Sequence, residues 1–202
     1  MQKNTKRSFS VLKKSMTTTA FDYFCQKIAE EYANSDGEFA RSYFSNKYDI
    51  SNACFYKVLE YAIINNLVSD EIVDLMQSKA IQNQKPHANE AGIKSILHYQ
   101  NMRKKRYEKI VSNLSEKEIK TIAKEFANNF DISKEELAEK HSMSIKVIDL
   151  ILLKAILELI VDDETFALIR ERSLSNNNNK KAEDFFNELA KKRNSNIQDA
   201  LK

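Results

Sequence analysis

The side chains most often used for catalysis and metal binding are scattered along this chain rather than clustered. The three histidines, His87, His98 and His141, have no other His, no Cys and no carboxylate pair at the spacing of three or four residues that a helical metal site needs. Cys25 and Cys54 fall on apolar helical faces, where cysteine acts as a small buried hydrophobe. No phosphate-binding or nucleophile motif is present. The sequence therefore predicts no enzyme and no cofactor.

The composition predicts an all-α fold. Only two glycines and one proline occur in 202 residues, which leaves little material for hairpins or glycine-rich loops. Nearly every long segment has apolar residues at helical spacing, and none alternates as a strand does. The polar N-terminus lacks an apolar signal region, and charged residues interrupt the longest apolar stretch, residues 145–161. We expect a cytoplasmic protein with no membrane partner.

One sequence pattern occurs twice. Residues 28–34 (IAEEYAN) match residues 122–128 (IAKEFAN), and residues 67–75 (LVSDEIVDL) match residues 160–168 (IVDDETFAL). Apolar, acidic and turn positions coincide at offsets of 94 and 93 residues. The pattern predicts a duplicated unit of four helices, each copy followed by a polar linker and one outlying helix.

The second copy contains a short helix, a break near residues 141–144 and a longer helix. Ala138, Ser142, Met143 and Ser144 supply in order a small residue, a permissive turn residue, an apolar plug and a polar helix cap. This order resembles the helix-turn-helix superfamily. The inward positions of the longer helix are Ile148 and Ile151. The corresponding residues of the first copy are Ser45, Asp49, Ile50, Ser51, Phe55 and Val58.

The resemblance implies that the start of the longer helix in each copy enters the major groove of DNA. In the first copy, Asn52 and Lys57 are competent to read bases, and Ser51 and Tyr56 are suited to phosphate contacts. In the second copy the same face carries Ile145, Leu150 and Leu153. That surface is too apolar for a wet, phosphate-rich groove. Two interpretations stay open for this face: burial against the other unit or a second copy of the chain, or reading of DNA.

The strongest basic signal is the run Arg103-Lys104-Lys105-Arg106 between the two copies. Four consecutive cations on a helix point in nearly all directions, so one solvated stripe does not account for all of them. Contact with DNA phosphates is one explanation and a solvated helix between domains is the other. Lys191-Lys192-Arg193 occupies the corresponding place after the second copy.

These features predict two tandem helix-turn-helix units joined by a long basic helix. The expected segments are a flexible basic arm (1–19), the first unit (20–85), the connecting basic helix (86–114), the second unit (115–175), and a polar linker with a C-terminal helix (176–202).

The leading hypothesis is a sequence-specific protein that binds double-stranded DNA, such as a transcriptional regulator of a phage or mobile element. The first rival is a protein-interaction module or inhibitor that uses its second unit for a homodimer or a protein partner. A DNA-packaging or replication accessory is the second rival. The protein class stays open at this point because the same trihelical pattern also occurs in proteins that bind no DNA.

Overall fold

The computed structural model describes residues 6–35, 41–82, 89–175 and 180–201, and these residues confirm the all-α prediction. They form eleven α-helices and no β-strand. Within them, no helix is both long enough and apolar enough to cross a membrane. The helices are α1 (Phe9–Ser15), α2 (Thr18–Asn34), α3 (Arg41–Lys47), α4 (Asn52–Ile64), α5 (Asp70–Gln82), α6 (Asn89–Asn113), α7 (Glu116–Asn128), α8 (Lys134–Lys140), α9 (Ile145–Leu157), α10 (Asp163–Ser175) and α11 (Lys180–Ala200).

The chain divides into two compact units, which we call unit 1 (Met1–Lys109) and unit 2 (Ile110–Lys202). The boundary lies inside α6, so the expected connecting segment 86–114 is not separate. Tyr99 and Met102 of α6 are buried in the core of unit 1 together with residues of α2 and α4. Apolar burial therefore makes the first part of α6 an integral helix of unit 1.

The described part of the expected flexible arm is folded onto unit 1. Leu12 of α1 is fully buried, and the Phe9 ring packs edge-on against Phe21 with centroids 5.3 Å apart. The backbone of Arg7 forms a parallel bridge with Ile50. Residues 1–5 of the expected arm lie outside the described residues. This segment packs on unit 1 because burial of Phe9 and Leu12 stabilises the packed state more than exposure of the neighbouring lysines favours a free arm.

Both cysteines are buried in the core of unit 1, as their apolar positions predicted. Cys25 is inaccessible to solvent and Cys54 nearly so. Burial raises the pKa of Cys25 to about 12, and it also raises the pKa of Cys54. Both side chains are therefore neutral thiols at physiological pH, and they act as packing residues.

Three helices of unit 1 recur in unit 2 with the same lengths and the same spacing. Both α3 and α8 have 7 residues, and α4, α9, α5 and α10 each have 13. Each member of unit 2 begins 93 residues after its counterpart, as with Asn52 and Ile145 (145 − 52). The first helix of the pattern, α2 in unit 1 and α7 in unit 2, ends at Asn34 and at Asn128, which are 94 residues apart.

The turns before and after these helices recur as well. Asp49 and Ser142, which precede α4 and α9, both adopt positive φ, at 51° and 53°. Asn66 and Leu159 follow the two helices, with φ of 58° and 60°. Non-glycine residues rarely adopt this left-handed conformation, so four such residues in two matching pairs indicate one backbone design used twice.

A buried cation on the last helix of each pattern binds carbonyls at or just after the end of the pattern's first helix. The Lys79 ammonium donates to the Ser35 carbonyl at 2.6 Å and lies over the Tyr32 ring. Arg172, 93 residues later, donates to the carbonyls of Phe126, Asn129 and Ile132, and its guanidinium lies 4.2 Å from the Phe126 ring centre. Each cation donates to carbonyls at or just beyond a helix end, where carbonyls lack an intrahelical donor.

A partly buried carboxylate also recurs, and it binds the lysine that ends the short second helix of the pattern. Glu31 accepts from Lys47 at 2.6 Å in unit 1. In unit 2, Glu125 accepts from Lys140 and lies 3.1 Å from His141 Nε2. The hydrogen bond from the lysine is the main reason that the pKa of each glutamate falls below its usual 4.5.

Replacing both glutamates with glutamine is expected to weaken the pH dependence of stability in acid. A carboxyl whose pKa is lowered by folding stabilises the protein above its unfolded pKa, and that stabilisation is lost as pH falls through the folded value. The wild type should therefore lose unfolding free energy below about pH 4.5 more steeply than Glu31→Gln/Glu125→Gln. Urea unfolding between pH 2.5 and 7 measures this. The exposed Glu139→Gln is the control, and identical pH profiles for wild type and double variant would contradict the assignment.

Candidate nucleic-acid interface

The polar residues predicted to contact DNA lie at the beginning of α4. Ser51 is the N-cap of this helix, and its hydroxyl accepts from the Cys54 amide at 3.1 Å. Asn52, Tyr56 and Lys57 are all exposed on the first two turns of the helix. Asn52 and Tyr56 are four residues apart, so they share one face. The structure thus brings the four predicted residues together on one end of α4, with Ser51 in a structural capping role.

The turn before α4 is bordered by a short basic segment that sequence analysis placed in a free arm. The Arg7 amide donates to the Asp49 carbonyl, and the Ser51 amide donates to the Arg7 carbonyl at 3.1 Å. The Arg7 guanidinium donates to the Tyr48 carbonyl at 2.9 Å, while 40% of the side chain stays exposed. The Lys6 ammonium donates to the Asn46 amide oxygen. Two cations therefore lie beside the start of α4.

The four cations of the Arg103–Arg106 run have different surroundings, which corrects the prediction of a single phosphate-binding cluster. Arg106 is only 7% exposed, and its Nη1 lies 3.3 Å from Asp70 Oδ1. Arg103 donates to the Asp70 carbonyl at 3.0 Å and to the Asp74 carboxylate. Lys104 and Lys105 are exposed, and Lys104 lies 3.8 Å from Glu108. Only these two lysines are placed to contact a phosphate.

Asp70 is the organising partner of this cluster. It is the first residue of α5 and also accepts from the Tyr107 hydroxyl at 2.9 Å. That hydrogen bond adds to burial in raising the pKa of Tyr107 to about 12. A carboxylate at a helix N-terminus is favoured by the helix dipole, and here it also anchors α6 to α5. The two arginines consequently stabilise unit 1 rather than offer charge to a ligand.

Unit 2 repeats this arrangement with a single arginine. Arg193 on α11 is 4% exposed and donates to the Ile156 carbonyl at 2.9 Å, the Val161 carbonyl at 2.7 Å and the Asp163 carboxylate at 3.0 Å. Asp163 opens α10 as Asp70 opens α5. The sequence contains a signal for this recurrence of the buried arginine. Residues 99–106 (YQNMRKKR) match residues 186–193 (FNELAKKR) at their aromatic, apolar and final arginine positions.

Arg106→Met is expected to lower the free energy of unfolding by about 1–2 kcal/mol, because it leaves Asp70 with fewer donors in a partly buried place. The matched control is Lys105→Met, one residue away and exposed, which should change stability by less than about 0.5 kcal/mol. Urea unfolding followed by circular dichroism measures both. Equal effects of the two substitutions would show that the buried contact contributes nothing.

The apolar face predicted for unit 2 lies on α9, and the chain's own α11 packs against this helix. Ile145 remains 39% exposed, whereas Leu150 and Leu153 are half-buried and line a cavity that α11 also borders. The expected cover was another unit or a second copy of the chain. Instead, α11 of the same unit covers part of this face of α9, and its Phe186 and Leu189 side chains are buried.

Comparison of the chain with protein-family models, curated proteins and solved structures finds no match. The geometry of the two units is therefore the basis for a functional proposal. Within the described residues, no group of three or more His, Cys, Asp and Glu side chains is arranged to hold a metal ion.

Proposed function

We propose that the chain is a sequence-specific protein that binds double-stranded DNA through unit 1. In this proposal α3, the turn at Tyr48–Ser51 and α4 form a helix-turn-helix, and α4 is the recognition helix. The single observation that carries the proposal is the exposed polar face of Asn52, Tyr56 and Lys57 at the start of α4. A recognition helix places its N-terminal residues against base edges.

The chemistry of this face suits the major groove. The Asn52 amide has both donors and an acceptor, which allows a bidentate pair with adenine. The Lys57 ammonium is suited to guanine or to a phosphate, and the Tyr56 hydroxyl is suited to a phosphate. Arg7 and Lys6 beside the turn supply charge for the DNA backbone next to the helix.

The recurrence of helix lengths, turn conformations and capping residues supports a second helix-turn-helix in unit 2, formed by α8 and α9. Ser144 caps α9 as Ser51 caps α4. The face of α9 that corresponds to the DNA-contacting face of α4 carries Ile145 and Leu150 instead of asparagine and lysine. We therefore assign DNA contact to unit 1 alone. A transcriptional regulator is the function that this division of labour fits best.

Titration of the full chain into a fluorescent random-sequence duplex at 50 and 200 mM salt tests the proposal. We expect binding that weakens with salt, because each neutralised phosphate adds about one unit to the salt slope. Selection from a random duplex pool should then enrich a discrete site. No measurable affinity at the lower salt concentration would contradict the proposal.

A protein-interaction module is the second candidate, favoured by the exposure of Ile145 on α9 and of Phe185 (53%) on α11. An exposed isoleucine and phenylalanine in one unit provide anchors of the kind that protein interfaces use. Sedimentation velocity of the wild type and of Ile145→Lys tests this candidate for the case in which the partner is a second copy of the chain. A concentration-dependent dimer that the substitution abolishes would support it, and a monomer at all concentrations would remove the homodimer.

A further inference from the structure

A cavity of about 370 Å³ lies among α9, α10 and α11 of unit 2. Its wall includes Leu150, Leu153 and Ile156 from α9, Ile169 from α10, and Phe185 and Leu189 from α11. The size falls within the range of small-molecule sites, which are concave and mostly apolar. No role in DNA contact involves this cavity, because it belongs to the unit whose recognition face is apolar.

The cavity extends from the surface into the core of unit 2. Ile156 and Ile169 in its wall are each 1% exposed, whereas Phe185 in the same wall is more than half exposed. A cavity with core side chains in its floor and more exposed apolar side chains at its rim suits a compact apolar ligand.

Comparison of the two units shows that apolar residues are concentrated at the rim. Leu150 and Leu153 correspond to Lys57 and Glu60 of α4 at the offset of 93 residues. Phe185 corresponds to His98 of α6 at the offset of 87 that relates α11 to α6, as Arg193 relates to Arg106. The same fold thus carries three polar residues at these positions in unit 1 and three large apolar residues in unit 2.

The polar residues at the mouth determine the charge of the occupant. The Lys134 ammonium lies 2.7 Å from Asp149 Oδ1, and both residues line the cavity with the hydroxyl-bearing Ser173. The two charges pair with each other, so a charged ligand finds no free counter-charge at these two residues. An uncharged ligand leaves the pair intact, and a hydroxyl or carbonyl on it is able to hydrogen-bond to Lys134, Asp149 or Ser173.

We propose that unit 2 binds an uncharged, apolar small molecule in this cavity. The leucine, isoleucine and phenylalanine side chains of the wall contact its apolar body, and the ion pair at the mouth offers no free counter-charge to charged analogues. This proposal goes beyond DNA binding and stands on a different part of the chain, so either one is able to fail without the other.

Fluorescence titration of the full chain with N-phenyl-1-naphthylamine, an uncharged dye, tests this proposal. We expect saturable binding of one dye per chain, and at least tenfold weaker binding of the anionic dye anilinonaphthalene sulfonate. Leu150→Lys/Leu153→Glu places the unit 1 residues at the rim and should weaken binding of the uncharged dye by about tenfold or more. Ile145→Lys, on the same helix but outside the cavity wall, should bind as the wild type does.

Circular dichroism melting of each variant establishes that it is folded, and Phe185→His provides a second rim variant at an exposed position. The dye should raise the melting temperature of the wild type and not that of the rim variants. Absence of saturable binding, or unchanged binding by both folded rim variants, would overturn the proposal. A loss of dye binding in Ile145→Lys equal to that in the rim variants would also overturn it, because it would point to the exposed face of α9.

Discussion

Arg172→Met is expected to lower the free energy of unfolding by about 3 kcal/mol, the largest effect among the surface and buried cations of the chain. Arg172 is 4% exposed and donates to the carbonyl of Phe126 near the end of α7 and to those of Asn129 and Ile132 in the segment that follows. Methionine fills much of the same space without any donor. Three carbonyls then lose the donor that Arg172 supplies, although the Asn129 carbonyl keeps the Ile132 amide at 3.3 Å. Each buried unsatisfied polar group costs about 1–3 kcal/mol, part of which relaxation and water recover.

Arg170→Met is the matched control on the same helix. Arg170 is half-buried, and the hydrogen bond found for it joins its Nη2 to the Asn187 amide oxygen at 2.9 Å on the surface. The control should cost less than about 1 kcal/mol. Urea denaturation followed by circular dichroism measures both variants. A loss of less than 1 kcal/mol in Arg172→Met, or equal losses in the two variants, would show that the carbonyl contacts of Arg172 are dispensable.

Asn52→Ala/Tyr56→Ala/Lys57→Ala is expected to weaken binding to a selected duplex by about 100-fold or more. A good bidentate base contact contributes about 1–3 kcal/mol, and loss of the lysine removes one phosphate or base contact in addition. All three side chains are exposed and alanine is a strong helix former, so the fold of α4 should persist. Fluorescence anisotropy at fixed salt gives the affinity, and thermal melting gives the stability.

The corresponding control changes the start of α9. Ile145→Ala/Lys146→Ala alters two exposed residues at the positions equivalent to Asn52 and Ala53. Their replacement should change the affinity for the duplex by less than about threefold. Full affinity in the unit 1 variant, or a larger loss of affinity in the unit 2 control, would show that DNA contact by unit 1 is the wrong assignment.

The fold class and the positions of the helices followed from local signals in the sequence. Scarce glycine and proline left helical periodicity as the dominant pattern. Ser115 and Glu118, spaced three residues apart, form a capping box at the start of α7, which is a signal of the same local kind. The duplicated pattern was also visible, because it depends on which residue types recur at a fixed offset. Each of these signals is contained within one segment or in the alignment of two.

The surroundings of the charged residues depended on packing between distant segments, and sequence analysis placed several of them incorrectly. Arg103 and Arg106 looked like ligand contacts, yet their partner Asp70 lies more than thirty residues earlier in the chain. The periodicity of α6 shows that part of its surface is apolar, but it does not show which cations lie at the edge of the buried face. The burial of Tyr99 and Met102 determines which cations lie there.

The cover over α9 illustrates a second limit. Leu150 and Leu153 were recognised as too apolar for a DNA groove, and the sequence left open what covers them. An apolar face requires a partner, but its periodicity is the same for a helix of the same chain, a second copy or a ligand. In the structure, α11 covers part of this face of α9, and a cavity lies beside it.

The most direct test of DNA contact by unit 1 is photo-crosslinking from two equivalent positions. A photoreactive phenylalanine analogue is placed at Tyr56 in one variant and at Asp149, 93 residues later, in the other, and each is irradiated with the selected duplex. We predict crosslinks from position 56 to bases of the selected site, and none from position 149. Crosslinks from position 149, or none from position 56 in a variant that still binds the duplex, would contradict the assignment of α4 as the recognition helix.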